Sequence, residues 1–267
     1  MKDFKIIFSD VDGTLLDSRH NLPSGMAQAI RQLGEKGILF VLVSARGPSG
    51  LYPIMKRGGF RCPLIAYSGA LAQDAQGQVL SHRGLSKPLA QSVIDYIDEQ
   101  GFDLSWCLYA LDQWLVRDRR DPRVIREEQI VRAEAAEGGV TDIRGDQASK
   151  ILCIVSPKQM EKTEQSLKER FPGLNIVRSS DILLEIMARE ADKGAAIRAY
   201  CARLHIDPAR SIAFGDNYND IGMLEAAGLG ILVGNAPEAL KKRFAHHTED
   251  NDHAGVLKAL KRLGLIE

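Results

Sequence analysis

The chain has 267 residues, with 35 basic and 35 acidic side chains for a formal net charge of zero, and 45% of it is hydrophobic. That length and balance suit one large or two smaller globular domains, able to bury a core without metal or disulfide staples. Neutrality argues against nucleic acid or an anionic membrane as the main partner. The four cysteines, Cys62, Cys107, Cys153 and Cys201, form no Cys-x-x-Cys pair and read as isolated buried thiols in a reducing compartment. An aspartate interrupts the apolar N-terminal stretch, so no signal peptide is expected. No apolar run reaches the ~18 residues of a membrane helix. The expected location is the cytoplasm.

In chain order, Phe4 to Ser9 is a short apolar run that reads as a buried strand. Asn21 and Pro23 open a helical pattern to Lys36, with Met26, Ala29, Ile30 and Leu33 on one face and Gly37 ending it. Ile38 to Ser44 is continuously apolar, as in a parallel strand covered on both faces. A helix starts near Arg46-Gly47-Pro48, and Leu64 to Tyr67 is a third strand. This alternation predicts an α/β fold, a doubly wound parallel sheet.

The middle of the chain differs. A hairpin is expected with Asp74 to Gly77 at its turn, then a helix over Lys87 to Gln100. "LSWCLYA" and "QWLVRD" alternate as antiparallel strands do, and a long charged helix is expected from Asp121 to Glu137. Strands "KILCIVS", "NIVRS" and "ILLEIM" surround a helix over Lys158 to Arg170. The α/β rhythm then returns with a helix over Lys193 to Leu204, strand "SIAFGD", a helix holding Met223 to Ala227, strand "LGILVG", and helices starting at Pro237 and Val256. The expectation is a core domain from 1–82 and 188–267, with an α+β domain inserted over 83–187.

Four stretches carry chemistry: "IIFSDVDGTL" at 6–15, "VLVSARG" at 41–47, "ADKGAAI" at 191–197 and "FGDNYNDIGML" at 214–224. Taken singly, each has a plain structural reading. "DVDG" can be an acidic turn, Ser44 a helix N-cap, Lys193 a solvated lysine at a helix start, and "GDNYND" a polar loop. Three of the four follow a core strand, however, and the ligand crevice of an open parallel sheet lies outside the carboxyl ends of its strands. Asp10, Asp12, Asp216 and Asp220 brought together there would repel one another without a cation. Oxygen ligands without His or Cys select a hard ion, and Mg²⁺ suits a site shared with phosphate. Lys193, the Ser44 hydroxyl and free helix amides add what a phosphoryl group needs. A carboxylate aimed at that group can act as a covalent nucleophile.

With these motifs the sequence resembles the haloacid dehalogenase-like (HAD) hydrolase superfamily, in particular its Cof-type phosphatases with an α/β cap of the C2B kind. "FSDVDGTLLDS", "VSARG", "DKG" and "GDNYNDIGML" are similar to the four family motifs in order, and the inserted segment sits between the second and third. The resemblance implies a Rossmann-like core with an inserted cap that selects the substrate. It also implies that Asp10 is the nucleophile forming an aspartyl-phosphate, and that Asp12 is the general acid and then the base. Mg²⁺ would be held by Asp10, the main-chain carbonyl of Asp12, and Asp216, with Asp220 and Asn219 supporting it. Ser44 and Lys193 would hold the phosphoryl group, with Ala45, Arg46, Gly69 and Asn219 around the substrate.

The resemblance further implies that the second aspartate, Asp12, favours a phosphatase or phosphomutase over a dehalogenase. The implied substrate is a small phosphorylated metabolite such as a sugar phosphate, with no nucleic acid or membrane partner, and the chain a monomer or dimer. Specialised enzymes of the same cap class stand as alternatives: a mannosyl-3-phosphoglycerate phosphatase, a sucrose-phosphate-type phosphatase or a phosphomannomutase. A non-catalytic phospholigand-binding protein is a further one. Two departures bear on specificity: Ser44-Ala45-Arg46 stands where the family usually has Thr-Gly-Arg, and Ser68-Gly69-Ala70 where it usually has Asn-Gly-Ala. In the inserted segment, Trp106, Tyr109 and Trp114 are expected to pack a core, and Arg117 to Arg123 to form a solvated mixed-charge loop.

Overall fold

A computed structural model describes residues 3–131 and 133–267. The chain forms two compact units. One comprises the chain up to Ala45 with Tyr52–Leu80 and Asp192–Glu267; the other comprises Arg46–Leu51 and Ser81–Ala191. The elements begin with β1 (Ile6–Asp10), α1 (Met26–Glu35), β2 (Leu39–Val43), α2 (Pro48–Gly58), β3 (Leu64–Ala66), β4 (Leu71–Gln73) and β5 (Val79–His82). There follow β6 (Leu85–Ser86), α3 (Lys87–Gln100), β7 (Leu104–Ala110), β8 (Gln113–Val116), α4 (Pro122–Val131), β9 (Ala136–Glu137) and β10 (Gln147–Ala148). Next come β11 (Lys150–Val155), α5 (Met160–Arg170), β12 (Leu174–Arg178) and β13 (Leu183–Ala188). The chain closes with α6 (Lys193–Arg203), β14 (Ser211–Gly215), α7 (Ile221–Ala226), β15 (Leu229–Leu232), α8 (Glu238–Lys241) and α9 (Gly255–Arg262).

The first unit is built on a sheet ordered β15-β14-β1-β2-β3-β4-β5. Five strands, β15 to β3, run parallel, and β4 turns back antiparallel to β3. This is the Rossmann-like α/β core. β1 lies inside the sheet with all five residues buried, which is why it reads as an unbroken apolar run. Side chains alternate across the sheet. Ile6 and Phe8 pack into the cluster that holds Ile197, Tyr200 and Cys201 of α6 and Met223 and Leu224 of α7. Phe8 meets Tyr200 edge to face at 6.2 Å. All four cysteines are free and buried. Among the described residues no helix is long and apolar enough to cross a membrane.

The second unit is an α+β layer. Its main sheet runs β12-β13-β11-β7-β8-β9, antiparallel except for the parallel β8–β9 pair, and β6 pairs separately with β10. Trp106 is buried in the cluster that includes Val93 and Ile97 of α3 and Leu167 of α5. On the opposite face Trp114 is buried with Val124 of α4 and stacks on Tyr109 at 5.6 Å. These aromatics therefore pack the unit's interior. The arginines of 117–123 form ion pairs within the unit: Arg117 with Asp98, Arg119 with Glu128, Arg120 with Asp118, and Arg123 with Asp103.

Two helix boundaries differ from expectation by more than two residues. α1 starts at Met26 rather than near Asn21, because the Asp17 carboxylate accepts from the Arg19 and Asn21 amides and holds a turn there. Gly25 then enters the helix with φ +86°, a left-handed conformation suited to glycine. The long charged helix ends at Val131 rather than Glu137, with residue 132 of that expectation outside the described residues. The Ala133 amide donates to the Glu128 carbonyl and the Ala135 amide to the Glu128 carboxylate at 2.7 Å, which turns the chain. Ala136 and Glu137 then pair with β8 as a short strand. Helical propensity was overridden by a pairing distant in sequence.

Candidate active site

Because β1, β2 and β14 are parallel neighbours, their carboxyl ends share one edge of the sheet. Asp10 is the last residue of β1, Ser44 follows β2, and Asp216 follows β14. Lys193 is the first residue of α6, whose N-cap Asp192 accepts from the Ala195 amide at 2.7 Å. That capping bond fixes where the helix starts and hence where Lys193 stands.

The predicted residues meet at this edge. Lys193 Nζ donates to Asp10 Oδ1 at 2.5 Å and to Asp220 Oδ1 at 2.6 Å, with its side chain only 1% exposed. One carboxylate oxygen from each of Asp10, Asp216 and Asp220 lies within 4.8 Å of the others. Asp220 has both oxygens engaged: Oδ1 by Lys193, and Oδ2 by the Asp216 and Asn217 amides at 3.0 and 3.1 Å. It therefore ties Lys193 to the loop that carries Asp216. Gly13 has φ +78°, and a Cβ there would lie 2.5 Å from Asp216 Oδ2. Only glycine permits both that turn and that approach.

The other predicted residues are placed as follows. Asp12 is part-exposed, with Oδ1 3.4 Å from His20 Nδ1. Ser44 is buried; its amide donates to the Ile65 carbonyl and its own carbonyl accepts from the Ser68 amide, both at 2.9 Å. Ala45 is half-buried beside it. Gly69 has φ +113°, and a Cβ there would lie 2.6 Å from the Asp192 carbonyl, so this glycine lets the loop after β3 pass the start of α6. Asn219 is exposed on the turn Tyr218–Asp220. Arg46 is half-buried and belongs to the second unit.

Three residues at the site were not expected from sequence. Thr14 Oγ1 donates to Asp216 Oδ1 at 2.7 Å. Asn235 Nδ2 donates to the Gly13 carbonyl at 2.8 Å and to Asp216 Oδ2 at 3.2 Å. Asn251 donates its backbone amide to Asn235 Oδ1 at 3.2 Å. A signal for Asn235 was available: it follows β15, a further parallel strand ending on the same edge.

Burial dominates the electrostatics. It pushes Asp10 up to about 8, against the opposing pull of Lys193 and with Asp220 adding repulsion. It pushes Asp216 up to about 6, while the Thr14 hydrogen bond works the other way. Burial also opposes charge on Lys193, but Asp10 and Asp220 outweigh it and hold the ammonium above its usual range. A single lysine thus faces three carboxylates, and with all three ionised the site would carry an excess of negative charge that a cation would offset. The donor set, all carboxylate oxygens with no imidazole or thiolate, fits a hard divalent ion such as Mg²⁺.

A family model for haloacid dehalogenase-like hydrolases matches residues 7–260. A Haemophilus influenzae protein named for phosphatase activity is 32% identical over 258 residues, covering 97% of each chain. The phosphatase YwpJ of Bacillus subtilis is 28% identical, covering 97% of this chain and 99% of its own. The crystal structure of a haloacid dehalogenase-like hydrolase from Bacteroides thetaiotaomicron superposes with a TM-score of 0.88 at 26% identity, over 97% of this chain and 99% of that one. This chain belongs to the haloacid dehalogenase-like hydrolases and is a phosphatase of their Cof type.

Proposed function

We propose that the protein is a Mg²⁺-dependent phosphomonoesterase that hydrolyses small phosphorylated metabolites, such as sugar phosphates, through an aspartyl-phosphate on Asp10. The observation that carries this is the buried contact of Lys193 with Asp10, beside a triad of carboxylate oxygens within 4.8 Å of one another. Asp10 and Asp216 would hold the cation, with the Asp12 carbonyl, and Asp220 would orient Lys193 and the Asp216 loop. When bound, the cation neutralises charge on the phosphoryl oxygens and on the carboxylates around it.

The chain's own groups do the rest. The Asp10 carboxylate forms a bond to phosphorus as the bond to the leaving oxygen breaks, and Asp12 gives its proton to that oxygen. A water molecule then gives its proton to Asp12 while its oxygen bonds to phosphorus. The bond to Asp10 breaks, releasing inorganic phosphate and restoring protonated Asp12. Lys193 opposes charge on the phosphoryl oxygens throughout and favours the ionised form of Asp10 against the burial that raises it. The Ser44 hydroxyl would hold a phosphoryl oxygen. The second unit, as a C2B-type cap centred on 83–187, would select the organic part of the substrate.

The test is a phosphometabolite panel with Mg²⁺, with p-nitrophenyl phosphate as the generic substrate. Asp10→Asn should abolish phosphate release, and so should EDTA. Undiminished turnover in either arm would remove this mechanism. Isomerised sugar phosphate without free phosphate would replace it with a mutase.

A further inference from the structure

One loop of the first unit is tied down at three points by residues far along the chain. The loop runs from Asp10, at the end of β1, to Ser18. Its Gly13 carbonyl accepts from Asn235 Nδ2 at 2.8 Å, its Leu16 carbonyl accepts from Asn251 Nδ2 at 3.0 Å, and its Ser18 amide donates to Asp252 Oδ1 at 2.7 Å. Asn235 is the link that also reaches the acidic cluster. The same Nδ2 donates to Asp216 Oδ2 at 3.2 Å, and its Oδ1 accepts from the Asn251 amide at 3.2 Å.

Both Nδ2 hydrogens and Oδ1 of Asn235 are therefore engaged although the residue is exposed. Its bonds reach 222 positions back to Gly13, 19 back to Asp216 and 16 forward to Asn251. An exposed asparagine has little packing reason to be held so; the bonds fix three backbone segments to one carboxylate. With Thr14 on Asp216 Oδ1 and Asn235 on Oδ2, each oxygen has a donor, so the carboxylate cannot rotate without losing both bonds.

We propose that Asn235 is a positioning residue for the hydrolytic reaction. It sets the orientation of Asp216 and its distance from the Asp10–Asp12 segment, and Asn251 holds Asn235 in the required pose. The inference rests on the metal reading above. Partners that orient a ligating carboxylate from outside typically shift metal affinity or activity 10–100-fold.

The experiment titrates the parent protein and Asn235→Ala with Mg²⁺ by calorimetry, alongside Mg²⁺-free thermal melts and p-nitrophenyl phosphate hydrolysis at varied Mg²⁺. The Mg²⁺ dissociation constant, and the Mg²⁺ needed for half-maximal rate, should each rise about tenfold or more. KM for p-nitrophenyl phosphate at saturating Mg²⁺ should stay unchanged. If the alanine variant does not fold, Asn235→Ser replaces it, because one hydroxyl hydrogen cannot serve both Gly13 and Asp216; the same rise is expected. A folded variant that binds Mg²⁺ as tightly as the parent, whatever its melting temperature, overturns the inference alone. A parent protein that binds no Mg²⁺ in the same titration overturns the metal reading and this inference with it.

Discussion

Lys193 donates to Asp10 across 183 positions of sequence, Nζ to Oδ1 at 2.5 Å, with both side chains shielded from water. The same ammonium reaches Asp220 at 2.6 Å. One ammonium thus serves as the shared counter-ion of two buried carboxylates, and losing it leaves both without one. Lys193→Met should cost about 3–5 kcal/mol of folding stability, the usual consequence of removing one partner of a buried pair. Urea denaturation read by circular dichroism checks this. The deficit should shrink at low pH, where the orphaned carboxylates take up protons. A variant as stable as the parent at pH 8 would show that the pair contributes little.

Asp10→Asn should separate stability from turnover. Hydrolysis of p-nitrophenyl phosphate should fall by ~10⁴-fold or more, as for other covalent nucleophiles. The Mg²⁺-free melting temperature at pH 8 should hold or rise, because burial works against the charge that the asparagine lacks. A large loss of melting temperature would mean that the Lys193 pair more than repays that burial.

The raised carboxylates make the Mg²⁺-free fold weaker at higher pH. Asp10 sits at about 8 and Asp216 at about 6, each from an ordinary 3.8. Between those limits the folded state holds more protons than the unfolded one, so stability is fullest below about pH 4 for these groups and is lost as pH rises toward 8. Bound Mg²⁺ requires the ionised carboxylates, so its binding should release protons and tighten as pH rises. The Mg²⁺-induced rise in melting temperature should therefore be larger at pH 8 than at pH 6. An equal rise at both would contradict the assignment of these two groups.

Gly13→Ala should damage the site by position alone. The new Cβ would sit 2.5 Å from Asp216 Oδ2, at a backbone φ of +78°. The left-handed strain costs about 1–2 kcal/mol, and Asp216 must also move. Calorimetry should show Mg²⁺ binding lost or sharply weakened in a protein that still folds.

Ser68→Asn should stabilise the protein by roughly 0.5 kcal/mol, since asparagine tolerates the left-handed region better than serine. Ser68 has φ +54° and follows Tyr67 at φ +51°. A shift in the urea midpoint, with unchanged slope, is the readout. An unchanged or lower midpoint would mean that the larger side chain is excluded there.

Much of this was legible in the residues because it is locally encoded. β1 is buried along its whole length, so its apolar run marks a strand, and the aspartate that ends it marks the ligand edge. The capped start of α6 at Lys193 follows from Asp192, a residue type that suits an N-cap. The α4 boundary was not legible, because Glu128 turns the chain back toward a strand pairing that no local pattern records. Nor were the partners of Thr14 and Asn235, which lie 202 and 222 positions away, although the place of Asn235 after a parallel strand could be read.

By itself the sequence determined the chemical inventory: which carboxylates stand at the ends of which strands, and which lysine starts a helix beside them. Those features depend on apolar periodicity and on chain-neighbour chemistry, and both can be read in order. The tertiary structure alone decided that the carboxylates converge within 4.8 Å, that burial lifts Asp10 and Asp216, and that Asn235 braces the loop against Asp216. The reason is physical. Burial and long-range hydrogen bonds belong to the packed assembly of strands, where parallel pairing brings distant chain ends to one edge and water is excluded from between them.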